Sequence, residues 1–409
     1  MNRALILSLA LALGGAGTAQ AASSPVFSSV EPEAPARLER VVLIARHGIR
    51  SPTHNARSLE QETGVVWPSW PVAPGELTDH GRATLDAMMQ GVARHYDLAC
   101  THNTSPCLGA TPPFIWADSA DNRTRESGQI MARALSPGHE IAARSLAAGQ
   151  HDPVFDAVTA EFVKQHHDQM AQDATQLARY DRLARPDSVN AGLATLQQLF
   201  APQACETGQG PCFKTGLVVS EKKGRPSLGG GMTLAATLAE NLMLIHAQSL
   251  DQTADALVRE AWVGKINPAL LTTVLPVHNY LSGLVRRHGV AIAARSAVMA
   301  DIIARFMAGE AITLGDGSIV PPATRLLAFA GHDTTLDALA ARYGLDWHFS
   351  DQPDSTAPDT TLAFEQWRDG KGQIVYRARI FHQSLQALRE GESGAAPPLS
   401  VTLTGRDLR

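Results

Sequence analysis

Three short apolar runs punctuate the chain, and each hands over to polar residues at its carboxyl end. Val41 to Ala45 leads into Arg46-His47-Gly48, Phe114 to Ala117 into DSADNRTRESG, and Leu326 to Ala330 into Gly331-His332-Asp333. Runs of this length bounded by polar residues predict buried strands, and each is followed by a stretch able to form a helix. A β-then-α order at both ends of the chain favours a mostly parallel sheet with helices on its faces. The middle has a different period. From about residue 137 to residue 287, segments such as FDAVTAEFVKQHHDQMAQ, TLAATLAENLMLIHAQSL and NYLSGLVRRHG carry apolar residues at three-to-four spacing, the helical interval. The pattern predicts an α/β domain made of residues 22–136 and 288–409, interrupted by a smaller all-helical domain of residues 137–287. SVTLTG predicts a last strand near the end, and there is no internal repeat.

Composition changes this picture little. At 409 residues the chain is long enough for two lobes with a sizeable core. The formal charge of -5 argues against a nucleic-acid binder held by overall positive charge, yet leaves room for a local cationic pocket. The first residues alter it more. Arg3, the apolar stretch Ala4 to Leu13 and the small-x-small Ala19-Gln20-Ala21 predict a signal peptide over residues 1–21, cleaved before Ala22. That apolar stretch is shorter than the roughly 20 residues a membrane span requires, and no later stretch reaches it. The expected location is the periplasm or the medium, with no membrane attachment. Cys100 and Cys107 bracket one polar loop and Cys205 and Cys212 another. Two local disulfides are the economical reading in an oxidising compartment. A four-cysteine zinc site wants tighter pairs and is disfavoured by these spacings.

The candidate chemistry sits where the strands end. In open α/β sheets, ligands bind outside the carboxyl ends of the strands, so three distant segments can converge on one crevice. Arg46 and Arg50 flanking His47 make a poor core, because unpaired buried guanidinium groups cost several kcal/mol. They make a good phosphate cradle, because planar guanidinium forks match phosphate oxygens bidentately. Nearby cations also depress the His47 pKa and keep an imidazole nitrogen available in acid. Taken singly, Arg123 reads as a surface residue and His332-Asp333 as a turn with a helix cap; on three ends of one sheet, the coincidence points to a site. His166-His167-Asp168 reads as a solvated helix face, since adjacent helical residues point in different directions. Gly229-Gly230-Gly231 lacks the lysine of a phosphate-binding loop.

RHGIRSP, with DNRTRESG and GHDTTL, resembles the histidine acid phosphatase family, in its secreted bacterial phytase and acid-phosphatase branch. The family pattern R-H-G-x-R-x-P is matched in full, and WPSWPVAPGELTDHG, HDPVFDAV, VHNYL and PDSTAPDTTLAFEQW extend the similarity over nearly the whole mature chain. The resemblance implies an α/β core like that of phosphoglycerate mutase. It implies His47 as the nucleophile, Arg46, Arg50, Arg123 and His332 as phosphate ligands, and Asp333 as proton donor to the leaving group, with no metal or cofactor. It places Thr53, His54, Glu240 and Thr334 in the substrate pocket. His54 stands where relatives often place a pocket lysine. Thr334 and Gly48 fit phytases better than the glucose-1-phosphatase branch, which tends to carry Ser and Asn there. Cys107 matches a family position whose usual distant partner is replaced near His139, so Cys100 would be a local substitute.

The expected activity is an exported acid phosphatase that hydrolyses phosphomonoesters through a phosphohistidine, with myo-inositol hexakisphosphate as substrate. The alternative is a glucose-1-phosphatase or a broad-specificity acid phosphatase. A non-catalytic phosphate-ester binding protein would need a damaged triad, and His47, His332 and Asp333 are all present. The chain is expected to act as a monomer on a small-molecule phosphomonoester, without nucleic acid.

Overall fold

The structure, a computed structural model, describes residues 36–102, 107–252, 262, 265–391 and 399–403. The signal peptide expected at residues 1–21 lies outside them. In chain order the strands are β1 (Arg37–Arg46), β2 (Phe114–Ala117), β3 (Val218–Lys222), β4 (Arg225–Gly229), β5 (Ile312–Thr313), β6 (Ile319–Val320), β7 (Leu326–Gly331), β8 (Thr361–Arg368), β9 (Ile374–His382) and β10 (Leu399–Leu403). The helices are α1 (Ala56–Thr63), α2 (Asp79–His95), α3 (Asn122–Ala134), α4 (Ala160–Ala184), α5 (Asp187–Phe200), α6 (Ala204–Thr207), α7 (Gly231–Ala247), α8 (Pro268–Arg286), α9 (Val290–Met307), α10 (Asp333–Tyr343) and α11 (Leu385–Glu390).

All three apolar runs are strands of one six-stranded sheet, in the order β10-β9-β8-β1-β7-β2. Side chains alternate across a strand, and β1 divides accordingly. Val42 and Ile44 pack with β7 residues Leu327 and Phe329 against α9 and α10. Val41, Leu43 and Ala45 pack with Leu326, Ala328 and Ala330 against α2 and α3. The strand is buried on both faces, which is why it reads as a continuous apolar run.

The sheet is mixed, and the expectation of a mostly parallel one is corrected on this point. β1, β7 and β2 are parallel, whereas β8, β9 and β10 pair antiparallel. The reason lies in the connections. Helices carry the chain between the parallel strands, whereas β8 and β9 follow each other through a short turn at Asp369–Gly372, which suits antiparallel neighbours. Charged residues in β8 and β9 conceal their burial from the sequence: Glu365 and Arg377 are buried, and Glu365 is held by Arg379 at 2.8 Å.

The helices of the middle segment share a core that also takes in Ile49, Leu59, Trp67, Leu385 and Leu388 from outside that segment, and to which α5, α7 and α8 contribute residues such as Leu196, Leu242 and Leu275. One element there departs from the helical pattern. Val218–Lys222 and Arg225–Gly229 form a β-hairpin closed by Lys223 and Gly224 at φ 53° and 74°, a two-residue turn of the type that matches strand twist. Both disulfides are local, Cys100–Cys107 and Cys205–Cys212. The second lies against the start of α7, where a Cβ on Gly231 would stand 1.8 Å from the Cys212 carbonyl oxygen. Among the described residues, no helix is long and apolar enough to cross a membrane.

Candidate active site

The carboxyl end of β1 carries the centre of the site. Arg46 is its last residue and is fully buried. The next turn is fixed by close backbone contact rather than by side chains. A Cβ on Gly48 would stand 2.4 Å from the Gly81 carbonyl oxygen, and one on Gly81 would stand 2.1 Å from that of Ile49. Two residues without side chains therefore let the turn lie directly on the start of α2. The Thr78 N–H donates to the Ile49 carbonyl and the Ser51 N–H to that of Glu76, both at 3.1 Å. The Gly75 N–H donates to the Pro52 carbonyl at 3.1 Å, which closes the turn that brings Arg50 back.

His47 is 3% exposed, and its backbone N–H donates to the Gly331 carbonyl at 3.0 Å. Its Nδ1 lies 2.9 Å from the Gly48 carbonyl. A carbonyl only accepts, so Nδ1 carries the proton and Nε2 the lone pair. Burial, then repulsion from Arg46, His332, Arg123 and Arg50, holds the imidazole pKa well below its ordinary value of 6.5. His47 is thus neutral at acid pH, with one nitrogen free to act.

The cations around it come from three strand ends and one helix. Arg46 reaches Glu240 on α7 at 2.5 Å, Asp354 at 3.5 Å and the Thr356 carbonyl. Arg50 meets the same Glu240 at 3.3 Å. Arg123, in the first turn of α3 beyond β2, binds Asp121 at 2.6 Å. His332 follows β7 and occupies the position before α10; its Nε2 lies 2.9 Å from Asp118 Oδ2, and its ring sits edge-on to that of His47 at 5.5 Å. Two helix N-termini, those of α3 and α10, begin at the site and add positive potential. The Nε atoms of Arg46, Arg50 and Arg123 are buried without a hydrogen-bond partner. Each such donor costs about 1–3 kcal/mol when left unmet, so three around one imidazole point to an anionic ligand.

Asp333, the first residue of α10, binds Arg286 at 2.7 Å and lies 3.9 Å from Arg46. Burial raises its pKa, but Arg286, Arg46 and His278 outweigh that and hold it well below 3.8. Glu240 behaves alike: burial is outweighed by Arg50 and Arg46, and the carboxyl is lowered to about 2. Glu240, His278 and Asp333 are close enough to share a cation. Their carboxylates are already engaged by three guanidinium groups, and these disfavour a metal ion at the same place.

The structure therefore brings Arg46, His47, Arg50, Arg123, His332, Asp333 and Glu240 together. Thr334, the second residue of α10, stands beside them, its N–H donating to Asp333 Oδ1 at 2.8 Å. Thr53 lies near Gly75, the residue whose carbonyl accepts from Arg123 at 3.4 Å. His54 is exposed and lines a separate shallow groove with Asn55, Arg57 and Trp70. Sequence reasoning missed Arg286, His278 and Asp118 as site residues. Asp118 follows β2 directly, and the rule that singled out Arg46 and His332 would have found it. Arg286 ends a helix, where a basic residue is ordinary, so no local signal marks it.

A family model described as the histidine phosphatase superfamily (branch 2) matches residues 37–215. Phytase AppA of Escherichia coli (strain K12) is 27% identical over 399 residues, covering 92% of this chain and 88% of that protein. Glucose-1-phosphatase of Providencia rettgeri is 23% identical over 401 residues, covering 94% of this chain and 90% of that protein. Among solved structures, Hafnia alvei phytase in complex with myo-inositol hexakis sulphate superposes with a TM-score of 0.73 at 26% identity, covering 90% of this chain and 91% of that one.

Proposed function

We propose that the chain is a member of branch 2 of the histidine phosphatase superfamily, as the family model over residues 37–215 and the similarity to bacterial phytases support, and that it is an exported acid phosphatase that removes phosphate from myo-inositol hexakisphosphate. The observation that carries the reading is the neutral, buried His47 with its Nε2 free, ringed by three arginines whose Nε atoms have no partner.

The reaction follows from that geometry in two steps. The guanidinium groups of Arg46, Arg50 and Arg123 and the His332 ring hold the phosphate oxygens and neutralise charge as the P–O bond lengthens. The Nε2 lone pair of His47 forms a P–N bond while the P–O bond to the inositol breaks, and Asp333 gives its proton to the departing alkoxide. Water then attacks phosphorus and passes a proton to the Asp333 carboxylate. The P–N bond breaks, and inorganic phosphate leaves.

Asp333 must be protonated for the first step, although Arg286 and Arg46 favour its ionised form in the free protein. A bound phosphate supplies the missing term. Its negative charge offsets the same guanidinium groups and raises the Asp333 pKa, so substrate binding and acid pH both load the proton donor. Hydrolysis of sugar monophosphates is the second reading, favoured by the similarity to glucose-1-phosphatase over most of both chains. Turnover of phytate and of glucose 1-phosphate by the purified protein at acid pH separates the two. A higher kcat/KM for phytate is expected, and the reverse order would replace this reading with the second. Secretion is tested by N-terminal sequencing of the mature protein, with Ala22 as the expected first residue.

A further inference from the structure

A groove of about 1060 Å³ opens beside the catalytic cluster and is lined by none of its residues. Its walls are α4, the β3–β4 hairpin, the end of α8 and the start of α9. Two helices connect it to the reacting centre. On α7, Thr233 lines the groove, and Glu240 lies two turns further along the same face, under Arg46 and Arg50. On α8, His278 stands beside Glu240 and Asp333, and Leu281 and Val285, on the same face, line the groove.

The charge of this groove is unlike that of the chain. Lys164, Lys214, Lys222, Lys223, Lys265 and Lys371 are the chain's only lysines, in a protein of formal charge -5. Three of them, Lys164, Lys222 and Lys223, line the groove together with Arg225 and Arg295. Arg295 is paired with Asp156 at 3.3 Å, but the other four have no ion-pair partner among the described residues. The carboxylate in the wall, Asp173, already accepts from the Val290 N–H at 2.9 Å and from Gln169 at 3.0 Å.

The cations stand on three sides. Lys164 comes from α4, Arg295 from α9, and the hairpin tip gives Lys222, Lys223 and Arg225. Lys223 occupies the left-handed region at φ 53°, where Asn or Gly is the ordinary choice. Half-buried Arg225 is disfavoured as a cation by burial and then by Arg295, and the charge of Asp156, which Arg295 shares, offsets this only in part. The floor is apolar, formed by residues such as Met170, Leu177, Leu228 and Ile292. A cyclitol with phosphates around its rim offers a C–H face to an apolar floor and several anions to cations that stand on different walls.

We propose that this groove is a second anion site, which holds an inositol polyphosphate beside the molecule undergoing hydrolysis. The assignment of ligand class rests on the reading of the enzyme as a phytase. Calorimetric titration with myo-inositol hexakissulfate, a non-hydrolysable polyanion, tests it on the wild type and on the triple variant Lys164→Gln, Lys222→Gln, Lys223→Gln. The wild type is expected to bind two equivalents and the triple variant one, with nitrophenyl phosphate turnover unchanged as evidence that the variant is folded. The control Lys214→Gln, Lys265→Gln, which removes the same kind of charge elsewhere, is expected to keep both equivalents. Equal stoichiometry in the wild type and the triple variant would overturn the groove as a site, and phytate hydrolysis by the wild type would still uphold the catalytic reading. Loss of one equivalent in a protein that does not hydrolyse phytate would uphold the anion site and overturn the catalytic reading.

Discussion

At the scale of single residues, charge decides what each group does. Burial makes protonation of the His47 ring unfavourable, and the charges of Arg46, His332, Arg123 and Arg50 act in the same direction. Single-turnover release of nitrophenolate is therefore expected to show no loss of rate as pH falls through 6.5, the ordinary pKa of histidine. A drop centred there would mean that His47 titrates as a free imidazole. Asp333 acts through its proton, and that can be separated from phosphate binding. Inositol alkoxide is a poor leaving group, whereas nitrophenolate departs readily without protonation. Asp333→Asn should therefore slow the first step with phytate by roughly 10²–10⁴-fold, and the same step with nitrophenyl phosphate far less. Equal loss with both substrates would assign Asp333 to binding or structure. Arg286 holds the Asp333 carboxylate at 2.7 Å and favours its ionised form. Replacing it as Arg286→Gln should raise the Asp333 pKa, so the alkaline limb of the first-step rate with phytate is expected to move to higher pH. A limb that stays in place would show that Arg286 does not govern this proton.

At the scale of elements, the site is a set of strand ends and helix starts held by close backbone packing. The turn after β1 depends on the absence of side chains at Gly48 and Gly81, each of which faces the other segment's backbone. Gly48→Ala would place a methyl group 2.4 Å from a carbonyl oxygen, and neither backbone can give way cheaply. A loss of about 1–3 kcal/mol in denaturant unfolding is expected, with turnover falling as His47 and Arg50 shift. Unchanged stability would show that the turn is less tightly seated on α2. This is also where the sequence is most and least legible. Val41 to Ala45 and Leu326 to Ala330 announce themselves because β1 and β7 are buried on both faces, and their polar ends then name the site. β8 and β9 do not announce themselves, since Glu365 and Arg377 are buried in compensated surroundings that the sequence cannot display. The β3–β4 hairpin is hidden for another reason: its strands are short and mostly polar, and a Lys-Gly turn gives a weaker signal than Asn-Gly. Glu240 was legible only through family resemblance, because a lone glutamate in an apolar helix names no partner until α7 is packed under Arg46.

At the scale of the whole molecule, buried carboxyls set how stability depends on pH. Glu240 is lowered to about 2 against an ordinary 4.5. Its contribution is fully present above the unfolded value and is lost as pH falls from about 4.5 towards 2. Asp333, shifted in the same direction, adds to this loss. Asp359 acts oppositely. Burial raises it from 3.8 to about 8, and one of its oxygens has no hydrogen-bond partner. The folded state keeps its proton while the unfolded chain loses it, so stability falls as pH rises from about 4 to 8. Glu240 and Asp333 thus lose their contributions in acid and Asp359 loses its own towards neutral pH, while the depressed histidines, His47 and His246 among them, cost stability as pH falls below 6.5. Asp359→Asn keeps size and suits the positive φ of 69°. It is expected to raise Tm at pH 7, by an amount of the order of a few kcal/mol in stability, and to leave Tm unchanged near pH 4. The same increment at both pH values would contradict a buried, protonated Asp359.

The chemistry proposed for the whole molecule converges on one bond, between phosphorus and Nε2 of His47. Rapid mixing of the enzyme with phosphate-labelled substrate, followed by an alkaline denaturing quench that preserves phosphohistidine, tests it directly. Label is expected on the peptide that contains His47, lost on acidification, formed at the rate of alcohol release and absent from His47→Ala. Label on another residue, no label while turnover proceeds, or turnover by His47→Ala at the wild-type rate would contradict the account.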